Sequence, residues 1–117
     1  MDSARALVER GDREGATNRA YYAAFHAARA ALAHLGALPE ATKTHSTVIG
    51  LFGKHLVQAG RLDAEHGRWL NRCHQLRNLA DYDVAAVDAE KVEFAVKGAE
   101  ALVQAVRAFI ERGTVAP

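Results

Sequence analysis

Asp12-Arg-Glu-Gly-Ala-Thr-Asn-Arg-Ala-Tyr-Tyr-Ala-Ala-Phe-His-Ala-Ala-Arg-Ala-Ala-Leu-Ala-His-Leu35 carries the pattern that decides the fold. Wound at about 100° per residue, it sets Tyr21, Phe25, Ala28, Leu32 and Leu35 on one apolar stripe. That stripe is core. A second face carries Ala16, Ala20, Ala23, Ala27 and Ala30, and methyl groups alone let another helix approach closely, from the same chain or from a second copy. Between the two runs a polar line of Asn18, Arg19, Tyr22, His26 and Arg29, which is either a solvated face or the wall of a polar groove. Asp12 is a capping residue for the start of this helix, and Gly36 followed by Pro39 closes it.

Outward from this segment the chain reads as helices throughout, with no period-two alternation long enough for a strand. Residues 3 to 10 form a short first helix ended by Gly11. A third runs from about Thr44 to Gln58 with Val48, Phe52 and Leu56 on its core face, and Gly60 ends it. The fourth starts after the capping candidate Asp63 and passes through Trp69, Cys73, Leu76 and Ala80 to about Asp81. The fifth starts at Asp88, places Val92, Ala95, Ala99, Leu102, Val106, Phe109 and Ile110 on one stripe, and stops at Gly113. Connections of about seven residues make sequential helices antiparallel neighbours, so the spacing predicts an all-α, up-and-down bundle of four to five helices. It forms one domain over residues 1–113, with residues 114–117 as a tail.

The 117 residues suffice for one core and are too few for two, which excludes a multidomain enzyme. Fifteen Lys and Arg against fourteen Asp and Glu give a formal charge of +1. A general nucleic-acid binder is more basic, although a local basic groove is compatible with this balance. Cys73 is the one cysteine, so neither an internal disulfide nor a four-Cys zinc site can form, which fits a reducing cytoplasm. The six His show no HExxH pair and no Cys-His cluster, and no metal or cofactor is assigned. No apolar run approaches the roughly 20 residues that span a bilayer, and Met1-Asp-Ser-Ala-Arg5 lacks the apolar core of a signal peptide. The expectation is a cytoplasmic protein with no membrane segment.

On the fourth helix, winding puts His74, Arg77 and Asp81 in one narrow sector beside the apolar stripe. Arg77 and Asp81, four apart, can form an intrahelical ion pair worth a few tenths of a kcal/mol when exposed. Arg77 is equally suited to a phosphate or carboxylate, because its planar fork donates two hydrogen bonds and keeps its charge.

Three blocks, Asn18-Arg-Ala-Tyr-Tyr-Ala-Ala-Phe-His-Ala-Ala-Arg29, then Lys43-Thr-His-Ser46 leading into Leu51-Phe-Gly-Lys54, then Arg77-Asn-Leu-Ala-Asp-Tyr82, together resemble the HEPN domain. They stand in that family's order, and the resemblance runs from about Ser3 to Arg112. Within the family it is nearest the small stand-alone prokaryotic branch. The resemblance implies a homodimer of helical bundles with a polar groove near the twofold axis. It also implies a minimal nucleotidyltransferase partner encoded nearby, the pair acting as toxin and antitoxin. Some such proteins cut RNA without metal, using an Arg followed after four to six residues by His: the Arg neutralises phosphate while the His transfers protons during attack by a ribose 2′-hydroxyl.

Here the chain departs from that pattern. Positions 82, 83 and 84 are Tyr, Asp and Val, so the His expected after Arg77 is absent, and the position of the adenylylated Tyr of some relatives is Val84. Tyr82 substitutes for it only with a shifted helix end. Arg68 and His74 have the right separation but sit about 120° apart on a straight helix, a chance match. His26 or His45 remain as sources of an imidazole from other helices. The resulting expectation is a groove for a nucleotide, RNA or partner protein lined by Arg77, Asp81, Tyr82, Tyr22, His26, Arg19 and His74. A metal-independent ribonuclease using Arg77 with His26 or His45 is the enzymatic alternative, and a purely structural dimer is the third.

Overall fold

The computed structural model describes residues 2–39, 44–82 and 89–114, and for residues 2, 14, 76–82 and 113–114 it describes the helical backbone alone. Every regular element among these is a helix: α1 (Asp2–Glu9), α2 (Arg13–His34), α3 (His45–Phe52, continuing as a π-helical segment Gly53–Gln58), α4 (Ala64–Tyr82) and α5 (Ala89–Thr114). The protein is an all-α bundle, as the apolar spacing predicts. α2 packs most extensively against α5 and also touches α1, α3 and α4, so it is the central post. At 26 residues, α5 extends about 39 Å and accounts for most of the 48 Å long axis.

The helix ends follow local chemistry. The Asp12 carboxylate accepts from the Gly15 N–H at 2.9 Å, the Thr44 hydroxyl from Thr47 N–H at 3.3 Å, and the Asp63 carboxylate from Glu65 N–H at 2.9 Å. Gly36, at φ 68°, turns the chain out of α2 in the left-handed region; its N–H reaches Ala33 O at 3.0 Å and Ala37 N–H reaches Leu32 O at 2.8 Å. Gly11 and Gly60 close α1 and the π segment in the same conformation.

Four details depart from the sequence reading. The last turns of the third helix are π-wound from Gly53, where no side chain resists the widening, and Leu56 is still fully buried. α5 reaches Thr114, one residue beyond the expected stop at Gly113, which is within ordinary end-fraying. The connections are uneven, from residues 10–12 to residues 35–44. On α2 the fully buried alanines are Ala16, Ala20, Ala24, Ala28 and Ala31, whereas Ala23 and Ala27 are half-buried and Ala30 is exposed. Burial therefore follows a four-residue ridge from Ala16 to Ala28, the row along which crossing helices interlock, with Ala31 three residues on, and departs from the set expected. Asp88, the expected start of the fifth helix, lies outside the described residues.

The core is otherwise the one anticipated: Tyr21, Phe25, Leu32, Val48, Phe52, Leu56, Trp69, Cys73, Val92, Leu102 and Val106 are buried, while Leu35, Phe109 and Ile110 are partly so. Burial pushes the Cys73 thiol up to about 12, so it stays protonated and offers no nucleophile near neutral pH. α1 is held to α5 by Arg5, whose guanidinium meets Glu93 at 2.9 Å and Glu100 at 2.5 Å. Those carboxylates, Glu100 first, raise the Arg5 pKa. With more than a third of these side chains in solvent, the tie contributes about 1 kcal/mol at most.

Between α4 and α5 the Trp69 indole lies against Gly98: a Cβ built on Gly98 falls 1.9 Å from Trp69 Nε1. The indole N–H donates to the Phe94 carbonyl at 3.1 Å. Helix propensity alone makes Gly98→Ala stabilising by about 1 kcal/mol. The clash reverses that sign, because either the indole or α5 must move. The expected outcome in thermal unfolding is a loss of about 1–3 kcal/mol, and a raised melting temperature would show that Trp69 is free to give way.

Candidate functional site

α2, the N-terminal end of α3 and α4 converge on the hydroxyl of Tyr21. This side chain is fully buried, and its oxygen lies 2.9 Å from His45 Nδ1 and 3.2 Å from His74 Nδ1. A phenol carries one hydrogen and two lone pairs, so it can donate to only one of the two nitrogens. When both hydrogen bonds are made, at least one imidazole therefore carries its proton on Nδ1. Such a string can pass a proton between two imidazoles through a single oxygen.

The rings around this oxygen pack tightly. His45 sits 4.2 Å, centroid to centroid, from Phe25, and His74 stacks on Tyr21 at 5.7 Å. Tyr22, 37% exposed, meets Tyr21 edge-on at 5.6 Å and His45 at 5.9 Å, and exposed His26 lies 6.4 Å from Tyr22. The Arg29 guanidinium stands 6.0 Å over the Phe25 ring. The result is an aromatic and imidazole cluster with a buried, hydrogen-bonded floor and an exposed edge formed by Tyr22 and His26. One turn earlier on α2, Asn18 Oδ1 is buried and meets no hydrogen-bond partner among the described residues.

Of the sequence-predicted site residues, the structure brings Tyr22, His26, His45 and His74 together. Arg19 is exposed on α2, three residues before Tyr22. The side chains of Arg77, Asp81 and Tyr82 lie outside the described residues; their backbone belongs to α4, with residue 77 about one turn beyond His74. Tyr21 and Phe25 are the members that sequence reasoning placed in the core without a role. A usable signal existed for Tyr21, since a buried phenol at the centre of a core stripe needs a polar partner that Phe or Leu would not.

Among the described residues no group of three His, Cys, Asp or Glu is placed to hold a metal ion, and no helix is long and apolar enough to cross a membrane.

Residues 1–109 match the family described as the HEPN domain. A UPF0332 protein of Gloeobacter violaceus is 43% identical over 82 residues, covering 70% of this chain and 63% of that protein, so the match spans somewhat under two thirds of the relative's length. A protein of Methanocaldococcus jannaschii named "Putative toxin" is 33% identical over 107 residues, 92% of this chain and 78% of its own. A UPF0332 protein of Thermotoga maritima is 30% identical over 112 residues, 95% and 83% respectively. No solved structure matches the chain.

Tyr21→Phe keeps the ring packing and removes the shared oxygen. Leaving two partly buried imidazole nitrogens without it is expected to cost about 1–3 kcal/mol in urea unfolding. The imidazole 15N shifts of His45 and His74, which report the tautomer, are expected to move together. Unchanged stability with unchanged shifts would mean that the hydroxyl holds neither ring.

Proposed function

The chain belongs to the HEPN domain family, and from that premise we propose that it is the dimeric, nucleotide-, RNA- or partner-binding member of a toxin-antitoxin pair whose other member is a minimal nucleotidyltransferase. The observation that carries this reading is the convergence of His45 and His74 on Tyr21 beneath exposed Tyr22 and His26. Tyr22, His26 and His74, expected to line a polar groove, and His45, expected as a source of an imidazole, thus border one place. The name borne by the Methanocaldococcus jannaschii relative supports a toxin-type role. In this reading Arg77, one turn beyond His74, binds phosphate through its planar fork, with Asp81 and Tyr82 beside it. Arg19 adds positive charge at the exposed end, and the protein works in the cytoplasm.

A second reading, a metal-independent endoribonuclease, is favoured by one specific observation: two imidazoles share the hydroxyl oxygen of Tyr21, and one of them, His74, stands on the helix that bears Arg77. They can stand in for the His absent after Arg77. One imidazole takes the proton of a ribose 2′-hydroxyl as its oxygen attacks phosphorus. The other protonates the departing 5′-oxygen, and Arg77 offsets the charge that builds on the phosphoryl oxygens. His26, on the exposed edge, is the alternative base.

The two readings separate in one set of measurements. The chain is co-expressed with the product of the adjacent gene, and RNA is incubated with the purified protein in EDTA. Stable co-purification without cleavage supports the binding reading. Cleavage in EDTA that is lost in Arg77→Ala supports the nuclease. If neither association nor cleavage occurs, the polar residues serve only a structural dimer and both readings fail.

For the dimer itself, the half-buried Ala23 and Ala27 and exposed Ala30 border an open groove with Val103, Val106 and Ile110 of α5. In the proposed dimer this methyl-lined face meets a second copy. Ala27→Glu leaves the monomer a route for the carboxylate to solvent but buries it at the interface. It is expected to weaken dimerisation about 100-fold or more in sedimentation, a loss of about 3 kcal/mol. An unchanged sedimentation profile would place the twofold contact elsewhere.

A further inference from the structure

A second groove, of about 560 Å3, runs between α4 and α5. Glu65, Arg68, Trp69 and Arg72 line it at about 120° or more from His74 around α4, and His66, about 80° from His74, forms its near edge, so the centre of the groove and the imidazole cluster lie on different faces of that helix.

Its floor is apolar. Trp69 is 6% exposed, with its indole set against Gly98, while Phe94 is 44% exposed, the most open of the large apolar side chains among the described residues. Opposite Trp69, α5 contributes Gly98, which the indole covers, and, one turn on, Ala101, whose small side chain leaves room beside Phe94 for an apolar side chain.

Its rim is cationic. Arg68 and Arg72 stand exposed one turn apart on α4, and Lys97 is exposed on α5. Against these three cations the groove holds one carboxylate, Glu65. Among the described residues none of the three cations is paired with a carboxylate, and Glu93 and Glu100, four residues before and three after Lys97 on α5, are both taken by Arg5. A chain whose formal charge is only +1 thus concentrates positive charge around an apolar trough.

We infer that the α4–α5 groove docks an acidic amphipathic helix of a partner protein, which seats an apolar side chain against Phe94 and Ala101 beside the edge of the Trp69 indole and sets carboxylates on Arg68, Arg72 and Lys97. Dimensions agree: residues 65–72 and 94–101 each run about 10 Å, or two helical turns, the span over which anchors at i, i+3 or i+4 and i+7 contact a groove. Charge complementarity selects an acidic occupant, and Arg68 and Arg72 can each grip a carboxylate through two hydrogen bonds. Single-stranded RNA fits less well. Base stacking needs an open aromatic face, and the Trp69 indole is covered by α5, leaving Phe94 alone as a platform.

Trp69 is the single tryptophan of the chain, so its emission reads this groove without labelling. The probes are a synthetic 18-residue helix with Leu at i, i+3, i+4 and i+7 flanked by Glu, the same peptide with Lys for every Glu, and an eight-residue oligouridylate. Saturable change of Trp69 emission with the acidic peptide alone is expected. Affinity should fall at least tenfold in the double variant Arg68→Glu with Arg72→Glu, and again in Phe94→Ala. It should hold within twofold in Lys54→Glu, which reverses an exposed charge elsewhere. Circular dichroism checks that the variants stay folded; if Phe94→Ala does not, the Arg pair decides. No saturable response, equal binding of the Lys peptide, indifference to charge reversal, or a response to the oligouridylate instead would each overturn the inference. None of these readouts involves Arg77 or the His45–His74 cluster, so failure here leaves the proposed function standing, and the reverse holds too.

Discussion

Five alanines of α2, at 16, 20, 24, 28 and 31, are fully buried, and α2 packs against α5 more extensively than any other two helices do. A methyl group adds little beyond the helix backbone, so the helices packed around α2 can lie close along this ridge without large side chains to interlock. Closeness on this ridge frees the rest of the α2 circumference. Tyr21, Phe25 and Leu32 fill the remaining core, and Tyr22, His26 and Arg29 emerge at the polar edge. A core built this way draws its stability from many small burials, supplemented by a few large rings at about 1.5–3 kcal/mol each.

The same economy explains what the amino-acid pattern revealed and what it withheld. Caps and stops were legible because each is settled within a few residues: Asp12 with Gly15, Asp63 with Glu65, and Gly36 turning the chain at positive φ. The core stripe of α2 was legible for the same reason, since it needs only the helical period. The partners of the Tyr21 hydroxyl were not, because they lie 24 and 53 residues away and depend on how three helices are set against one another. His74 was a candidate from helical winding beside Arg77, and His45 as a source of an imidazole from another helix. Their sharing one oxygen is a tertiary fact. The Trp69–Gly98 contact belongs to the same class: Gly98 reads locally as a weak point in a helix, and only the indole against it explains the missing side chain.

Charge is segregated in a way that a net value of +1 conceals. Glu93 and Glu100 are occupied by Arg5 where α1 crosses α5, which removes two carboxylates from the free surface. Arg68, Arg72 and Lys97 gather instead on the α4 side of α5. The positive charge here is local and lies over apolar surface.

α4 links the two sides of the molecule through its rotation about its own axis. Trp69 and Cys73, four residues apart and both buried, define its inward face. Five residues separate Trp69 from His74, an advance of about 140° around the helix. Seating the indole on Gly98 therefore also aims His74 at Tyr21, and the hydrogen bond at 3.2 Å holds the helix in that rotation. A side chain at position 98 would act beyond its own contact, because turning α4 to relieve the clash would swing His74 off the phenol. The imidazole cluster is thus positioned in part by a glycine on a helix that contributes nothing to it.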